Sequence, residues 1–504
     1  MTNDKRSGAT LSHPITAPLD RLLLRHQAAI ERAIGSFGLP LHVMFLEQWE
    51  RNAAAFLQVA RRLYPKTLIF FAVKSNPCRG AVRAAKRCGL GVDAASEHEL
   101  QAALEEGIAP ERITCNGNAK SFAYLRMATG AGAILSVDND DELDQLEEIA
   151  ASTTEKLPIL LRFRGMPLSG LTSDDQATAA DWTKFGFHIS DAERLLERLR
   201  RSNALRFAGV SAHIGTQIAN PAGYERLLTH LLALCERASA QGLPVERIDL
   251  GGGFPVRFLT ETEWTSFTRR LRDRLSGDVP DSSSVTWNDL PLGYAHLLAS
   301  RDASPQWIGK AYWTDHPGAE MLEYLLRFRF DDGRTTTDRL AALGSPTLVI
   351  EPGRSMAANA GVTLTQVTGT KTVLGHHVVS LDMGINNHGT NLITPDIFPA
   401  AVLPQAPDDV PIEAFLAGRL CFSGDMISKV KISLNRLPRR GERFALYATG
   451  AYSADHFASN SCGFPRPGKI ALRTDGTVEV WRKPERFEDV FGDADESLVL
   501  DPPG

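Results

Sequence analysis

The sequence predicts an α/β protein: a parallel (β/α)8 barrel of the TIM type followed by a C-terminal, mostly-β domain. Three observations predict it. The chain has 504 residues, more than one ordinary core accommodates, so two domains are expected. Short apolar runs alternate with amphipathic stretches through the first two-thirds of the chain. That alternation then stops after Glu351 and gives way to strand-like segments separated by Gly and Pro turns.

Eight runs carry the barrel prediction: Thr67–Val73, Leu90–Asp93, Ile113–Cys115, Ala133–Val137, Ile159–Arg164, Phe207–His213, Arg247–Leu250 and Thr347–Glu351. Each is too short for a helix. Helical patterns lie between them, among them Gln48–Leu63, His98–Glu106, Glu142–Ala151, Ala192–Arg201 and Tyr224–Ala240. Eight strands alternating with helices favour a closed parallel barrel over an open sheet. In the second domain the expected strands are Val362–Thr368, His377–Leu381, Arg419–Phe422, Arg443–Leu446, Lys469–Leu472 and Val478–Trp481. The division expected is residues 1–41 as a segment packing on either domain, 42–358 as the barrel and 359–504 as the β domain. An insertion at about 277–345, with Trp287, Trp307, Tyr312 and Trp313, is longer than one barrel helix needs. Such insertions serve as lids or partner surfaces, or as peripheral elaborations whose aromatics pack on themselves.

Composition excludes several classes. With 43% apolar and 23% charged residues the chain reads as soluble and globular. A net charge of -5 gives no reason to expect nucleic acid or an anionic membrane as partner. The N-terminus lacks the apolar core of a signal peptide, and no run approaches the roughly 20 apolar residues of a membrane span. The six cysteines are scattered without a C-x-x-C pair, which argues against a zinc site and fits a reducing cytoplasm.

Barrel enzymes carry their chemistry at the C-terminal ends of strands, and the unusual residues fall there. Lys74 follows Leu68–Val73. It is either a solvated lysine at a strand end, or one desolvated enough to depress its pKa and form an imine. His213 ends another strand, where a histidine either stacks on a flat group or is structural. Gly251, Gly252 and Gly253 follow a strand and allow backbone N–H groups to approach an anion, or form a flexible turn. Glu351 ends the last strand, and a carboxylate there needs a cationic partner, with Arg354 one candidate. Cys421 and Asp425 lie in Cys421-Phe422-Ser423-Gly424-Asp425, where a cysteine between apolar neighbours is ordinarily inert packing.

Taken in order, these motifs resemble the fold type III (alanine-racemase-fold) enzymes that use pyridoxal 5'-phosphate (PLP), most closely the branch of diaminopimelate and ornithine decarboxylases. The matching segments begin with Phe71-Ala72-Val73-Lys74-Ser75-Asn76-Pro77, Val92-Asp93-Ala94-Ala95-Ser96, Asn116-Gly117-Asn118-Ala119-Lys120-Ser121 and Lys184-Phe185-Gly186-Phe187. His213-Ile214-Gly215-Thr216-Gln217, Asp249-Leu250-Gly251-Gly252-Gly253-Phe254, Glu351-Pro352-Gly353-Arg354 and Ser423-Gly424-Asp425 follow. Gly450-Ala451-Tyr452, Ser459-Asn460 and Pro465-Arg466-Pro467 complete the set.

The resemblance implies a PLP-binding TIM barrel and amino-acid decarboxylation. Lys74 would be the Schiff-base lysine and His213 would stack over the pyridine ring. Thr216, Gly251, Gly252, Gly253, Gly353 and Tyr452 would hold the phosphate, and Glu351 would pair with the pyridinium nitrogen. Asp93 and Arg354 are counted with the cofactor-binding residues. Cys421, contributed by a partner subunit of a homodimer, would protonate the carbanion. No metal is implied.

The sequence departs from that branch in the residues expected to meet the distal end of the substrate. An acidic residue usually follows the cysteine, and here it is Phe422. An arginine-containing motif of the diaminopimelate enzymes is replaced by Leu381-Asp382-Met383-Gly384-Ile385-Asn386-Asn387-His388, and Ser461-Cys462-Gly463-Phe464 stands where Tyr-Asn-x-Arg is more usual. The implied substrate is an amino acid or conjugate other than plain diaminopimelate, ornithine or lysine. The alternatives are an amino-acid racemase or epimerase on the same fold, and a catalytically silent PLP-binding regulator.

Overall fold

The computed structural model describes residues 13–151, 155–168, 177–277, 284–290, 311–389 and 397–492. Its first strand, β1 (Leu41–Phe45), belongs to the second domain. The barrel consists of β2 (Thr67–Ala72), β3 (Gly91–Ala94), β4 (Ile113–Cys115), β5 (Ile134–Val137), β6 (Leu157–Arg164), β8 (Leu205–Ser211), β9 (Arg247–Asp249) and β10 (Thr347–Ile350), with a two-residue β7 (Phe187–His188) added beside β6. Each strand pairs in parallel with the next, and β10 returns to β2, so the sheet closes. Alternation along each strand separates two cores. Phe70, Ile134, Leu160, Ala208 and Val349 form one cluster. The neighbours Ile69, Phe71, Leu161, Phe207 and Ile350 instead join the core shared with the surrounding helices. Buried on both sides, the strands read as continuous apolar runs, which is why all eight stand out in the sequence.

The strands end one or two residues before the chemistry-bearing positions. Lys74 sits in a 3-10 turn, Val73–Ser75, directly after β2. His213 lies two residues beyond β8, and Glu351 one beyond β10.

The second domain contains β11 (Gly361–Val373), β12 (His376–Leu381), β13 (Ala400–Leu403), β14 (Ile412–Ala417), β15 (Met426–Leu434), β16 (Arg443–Tyr447), β17 (Gly468–Leu472) and β18 (Val478–Arg482). The sheet order is β15-β14-β12-β11-β1-β17-β18, with β16 bridging β11 and β13. β1 runs antiparallel to β11 and parallel to β17. The strand pairing therefore assigns Leu41–Phe45 to the β domain, whereas a division at residue 42 cuts through it. The helices Ala17–Arg25 and Gln27–Phe37 pack on the same sheet: Leu19, Leu22 and Ile30 share a core with Val43, Val362 and Ile470.

Arg419–Phe422 is not a strand. It lies in the hairpin loop between β14 and β15, held by Asp425, which accepts from the backbone N–H of Ile385 at 2.8 Å and of Leu420 at 2.6 Å. The apolar Leu420, Cys421 and Phe422 imitate a strand, but Cys421 and Phe422 are exposed while only Leu420 is buried.

In the insertion, Tyr312 packs against Phe258 and Trp264 at ring-centroid distances of 5.7 and 5.8 Å. Trp287 meets Phe415 of β14 edge-on at 5.2 Å. These aromatics thus pack on the barrel and the β domain rather than on one another. Trp313 is partly buried against the main core, and Trp307 lies outside the described residues. Among the described residues no helix is long and apolar enough to cross a membrane.

Candidate active site

The C-terminal ends of the barrel strands enclose a cavity of about 290 Å³. Lys74, Asn116, Arg162, His213, Asp249 and Glu351 contribute to its wall. Lys74 Nζ forms an ion pair with Asp93, which is fully buried on β3. Asn116 Nδ2 donates to Asp93 Oδ1 at 2.8 Å and to Glu351 Oε1 at 2.7 Å, joining three strand ends through one amide.

Two carboxyl groups, Asp249 and Glu351, and two cations, Lys74 and Arg162, line the cavity. Glu351 and Asp249 are buried, and burial together with neighbouring carboxylates raises the proton affinity of Glu351, which is coupled to Asp249; burial raises Asp249 as well. Burial opposes the charge on Lys74, but Asp93 and Glu351 outweigh it, so the lysine pKa is raised. Of the two readings the sequence allowed, solvated or depressed, neither describes it: the strand end brings carboxylates along with desolvation. Glu99, which accepts from the Ala95 N–H at 2.7 Å, is pushed up to about 7 by burial.

His213 is held as a neutral ring. The Gly215 N–H donates to its Nδ1 at 3.1 Å, which leaves the proton on Nε2, and Thr178 Oγ1 lies 3.0 Å from the same nitrogen. Burial, then the charges of Lys74 and Arg162, lower its pKa well below the ordinary histidine value. The glycines beside it are required sterically. A Cβ on Gly252 would stand 2.6 Å from the Glu351 carbonyl and 3.1 Å from His213 Nε2. Gly251 has φ +66°, and a Cβ there would meet the His213 ring at 2.8 Å.

A second cluster adjoins the Lys74 turn. The Tyr452 N–H donates to the Ser75 carbonyl at 2.7 Å, and the Arg354 guanidinium lies 4.9 Å from the Tyr452 ring centre. Arg354 does not pair with Glu351 as the sequence allowed. Among the described residues its Nε and Nη1 are buried without a hydrogen-bond partner, as is the hydroxyl of the neighbouring Ser355. Gly353 packs so closely on Ser75 that a Cβ would lie 3.0 Å from the serine Cβ.

Lys74, Asp93, His213, Gly251, Gly252 and Glu351 are thus brought together. Gly353, Arg354 and Tyr452 form the adjacent group. Gly253 backs onto the Tyr224 hydroxyl, its Cβ position 2.7 Å away. Thr216, half-buried, has no side-chain hydrogen bond among the described residues, while Gln217 beside it ties Val256 and Ala311 together. Cys421 and Phe422 do not line the cavity within one chain. Sequence reasoning gave no separate role to Asn116, Asp249 or Phe185, although all three stand in the matched motifs. Arg162 was signalled only by a charge inside an apolar run, and Thr178 by nothing.

Residues 51–286 match the family model of the pyridoxal-dependent decarboxylases, pyridoxal binding domain. This match, together with full-length relatives, indicates a fold type III PLP-dependent decarboxylase. It is 27% identical over 488 residues to the diaminopimelate decarboxylase of Pseudomonas aeruginosa, covering 95% of this chain and 98% of that one. It is also 27% identical to the diaminopimelate decarboxylase of Bacillus subtilis, at 90% and 91% coverage. Among solved structures, diaminopimelate decarboxylase from M. jannaschii superposes with a TM-score of 0.72 at 20% identity, over 93% of this chain and 94% of that one. The Helicobacter pylori enzyme complexed with L-lysine gives 0.68 at 22% identity, over 92% and 98%. The protein is a PLP-dependent carboxy-lyase of amino-acid metabolism.

The residues present fit the cofactor. The buried, unpaired donors of Arg354 and Ser355 suit an anion such as the phosphate. The buried carboxyl group of Glu351 in the cavity wall suits a cationic ring nitrogen. Lys74 is the only amine in the cavity wall among the described residues.

Proposed function

We propose that Lys74 anchors PLP through Nζ and that the chain decarboxylates an amino acid whose distal end differs from that of diaminopimelate, ornithine or lysine. The observation that carries the first part is the Lys74–Asp93–Asn116–Glu351 network at the converging strand ends. Bound there, PLP supplies an electron sink for the electron pair left behind when CO2 departs. Glu351 favours a protonated ring nitrogen, which strengthens that sink. His213 presents a neutral face to the ring. Gly251, Gly252, Gly253, Gly353, Thr216, Arg354 and Tyr452 hold the phosphate, and Asp93 orients Lys74.

Cys421 of the partner subunit delivers the proton from Sγ to the carbon that lost CO2. Its exposure on the β14–β15 loop, away from its own cavity, supports a head-to-tail homodimer. The six thiols are all free, which suits a cytoplasmic enzyme.

The distal end is argued from Phe422 and its surroundings. Phe422 is 52% exposed and apolar where an acidic side chain would receive an ammonium. Arg419, the nearest cation in that loop's sequence, pairs with Asp382 and stacks 3.9 Å from the Phe464 ring centre. An ammonium desolvated there would lack a partner, which points to a neutral, conjugated or carrier-linked distal group. The test is CO2 release by the PLP-loaded protein from meso-diaminopimelate, ornithine, lysine and derivatives blocked at the distal end. Preference for blocked substrates of about tenfold or more in kcat/KM is expected, the size of one lost polar contact. Turnover of free meso-diaminopimelate at the level of established enzymes overturns this reading of the substrate. Chiral analysis of the product separates decarboxylation from racemisation.

A further inference from the structure

Behind the Lys74 turn lies a polar row that none of these roles uses. It crosses the second sheet, where Thr363 on β11, His42 on β1, Lys469 on β17 and Arg482 on β18 are successive register partners. Thr363, His42 and Lys469 are buried. Lys469 Nζ donates to Asn76 Oδ1 at 2.8 Å and also to Asp455, whose other oxygen is held by Arg482. Burial alone would raise Asp455, but Lys469 and Arg482 outweigh it and hold the carboxyl down at about 2.

Asn76 lies two residues beyond Lys74. Its Nδ2 donates to the Gly450 carbonyl at 2.9 Å. An ammonium has donors only, so Lys469 dictates that the amide oxygen face it and the amide nitrogen face Gly450. From Gly450 the chain reaches Tyr452, whose N–H returns to Ser75. The row's far end grips the same loop: His42 Nδ1 lies 2.9 Å from Thr363 Oγ1, which donates to Thr449 Oγ1 at 2.9 Å. The turns carrying Lys74 and Tyr452 are thereby tied to each other and to one row of the β domain.

We infer that Lys469 is a positioning residue for the cofactor, acting through the Asn76 amide to set the Lys74 turn against the Gly450–Tyr452 turn. The inference rests on the roles proposed for Lys74 and Tyr452. A purely structural ion pair would only fasten the sheet to the barrel. The test compares PLP-loaded wild type with Lys469→Met, with Lys469→Met/Asp455→Asn, which leaves no lone buried carboxylate, and with Asn76→Ser, which leaves the ion pair intact. Release of PLP is followed by visible absorbance, and backbone hydrogen exchange is measured with and without cofactor.

The expected result is release about tenfold faster in each variant, the scale of a displaced positioning contact. Exchange should also quicken over residues 73–77 and 449–453. Lys469→Met should add nothing in the Asn76→Ser background. Unchanged release and exchange in Asn76→Ser, or effects that simply add, overturn the inference. If the wild type takes up no PLP, the reading of Lys74 fails, while quickened exchange in the cofactor-free variants still upholds the link from Lys469 to Asn76.

Discussion

The barrel mouth and the β14–β15 loop both carry matched motifs, yet the fold treats them differently. At the barrel mouth, Lys74, Asp93, Asn116 and Glu351 come from four strand ends and complete one another within a single chain. On the loop, Asp425 is buried and fully used in holding the turn, while Cys421 and Phe422 project from it exposed. A closed parallel barrel converges its strand ends whatever lies between them, so the cofactor half is self-sufficient. The loop has no such convergence, and on the proposed reading its exposed Cys421 and Phe422 meet a second copy of the chain. On the proposed reading, the residues that hold the cofactor come from one chain, while the proton donor and the residue that meets the substrate's distal end lie together on the loop.

The strongest way to break that division is at Lys74. Lys74→Ala should abolish PLP absorbance and reduce CO2 release by about 10³-fold or more, measured as turnover under saturating PLP. Cys421→Ala should cost about 10²-fold, as for a lost general acid, while PLP absorbance stays intact. Mixing the two inactive proteins after unfolding and reassembly should recover about a quarter of wild-type turnover, because half the dimers carry one intact site. No recovery would place both residues in one chain's site.

Phe422→Glu sharpens the comparison from the substrate side. It should shift kcat/KM by about tenfold toward substrates with a distal ammonium and leave PLP release unchanged, as a competition assay would read. Acidity offers a smaller effect. A raised Lys74 pKa means that the cofactor-free amine is protonated at neutral pH. PLP uptake should therefore accelerate as pH rises, because the neutral amine is the nucleophile. Asp93→Asn removes the largest effect raising Lys74 and should speed uptake at fixed pH, by stopped-flow absorbance. Slower uptake in that variant would show that Asp93 orients the amine more than it charges it.

The barrel was legible because its strands are buried on both faces and read as uninterrupted apolar runs, and its site residues were legible because each follows such a run. The β domain was less so. β1 is a short apolar segment with no periodic mark of its sheet, and only its pairing with β11 and β17 assigns it. Arg419–Phe422 imitated a strand because three apolar side chains in succession do not reveal which are exposed. The raised Lys74 pKa was not among the two readings the sequence left open, because linear sequence carries the desolvating run but not the carboxylates that β3 and β10 bring across. Arg162 and Thr178 reach the cavity from segments whose local pattern signals nothing.

The most direct test of the central claim is to trap the cofactor with borohydride and map the modified peptide by mass spectrometry. The geometry predicts one reduced PLP adduct per chain, on the peptide containing Lys74, and none in Lys74→Ala. An adduct on another lysine, or no adduct in the PLP-loaded wild type, would contradict it.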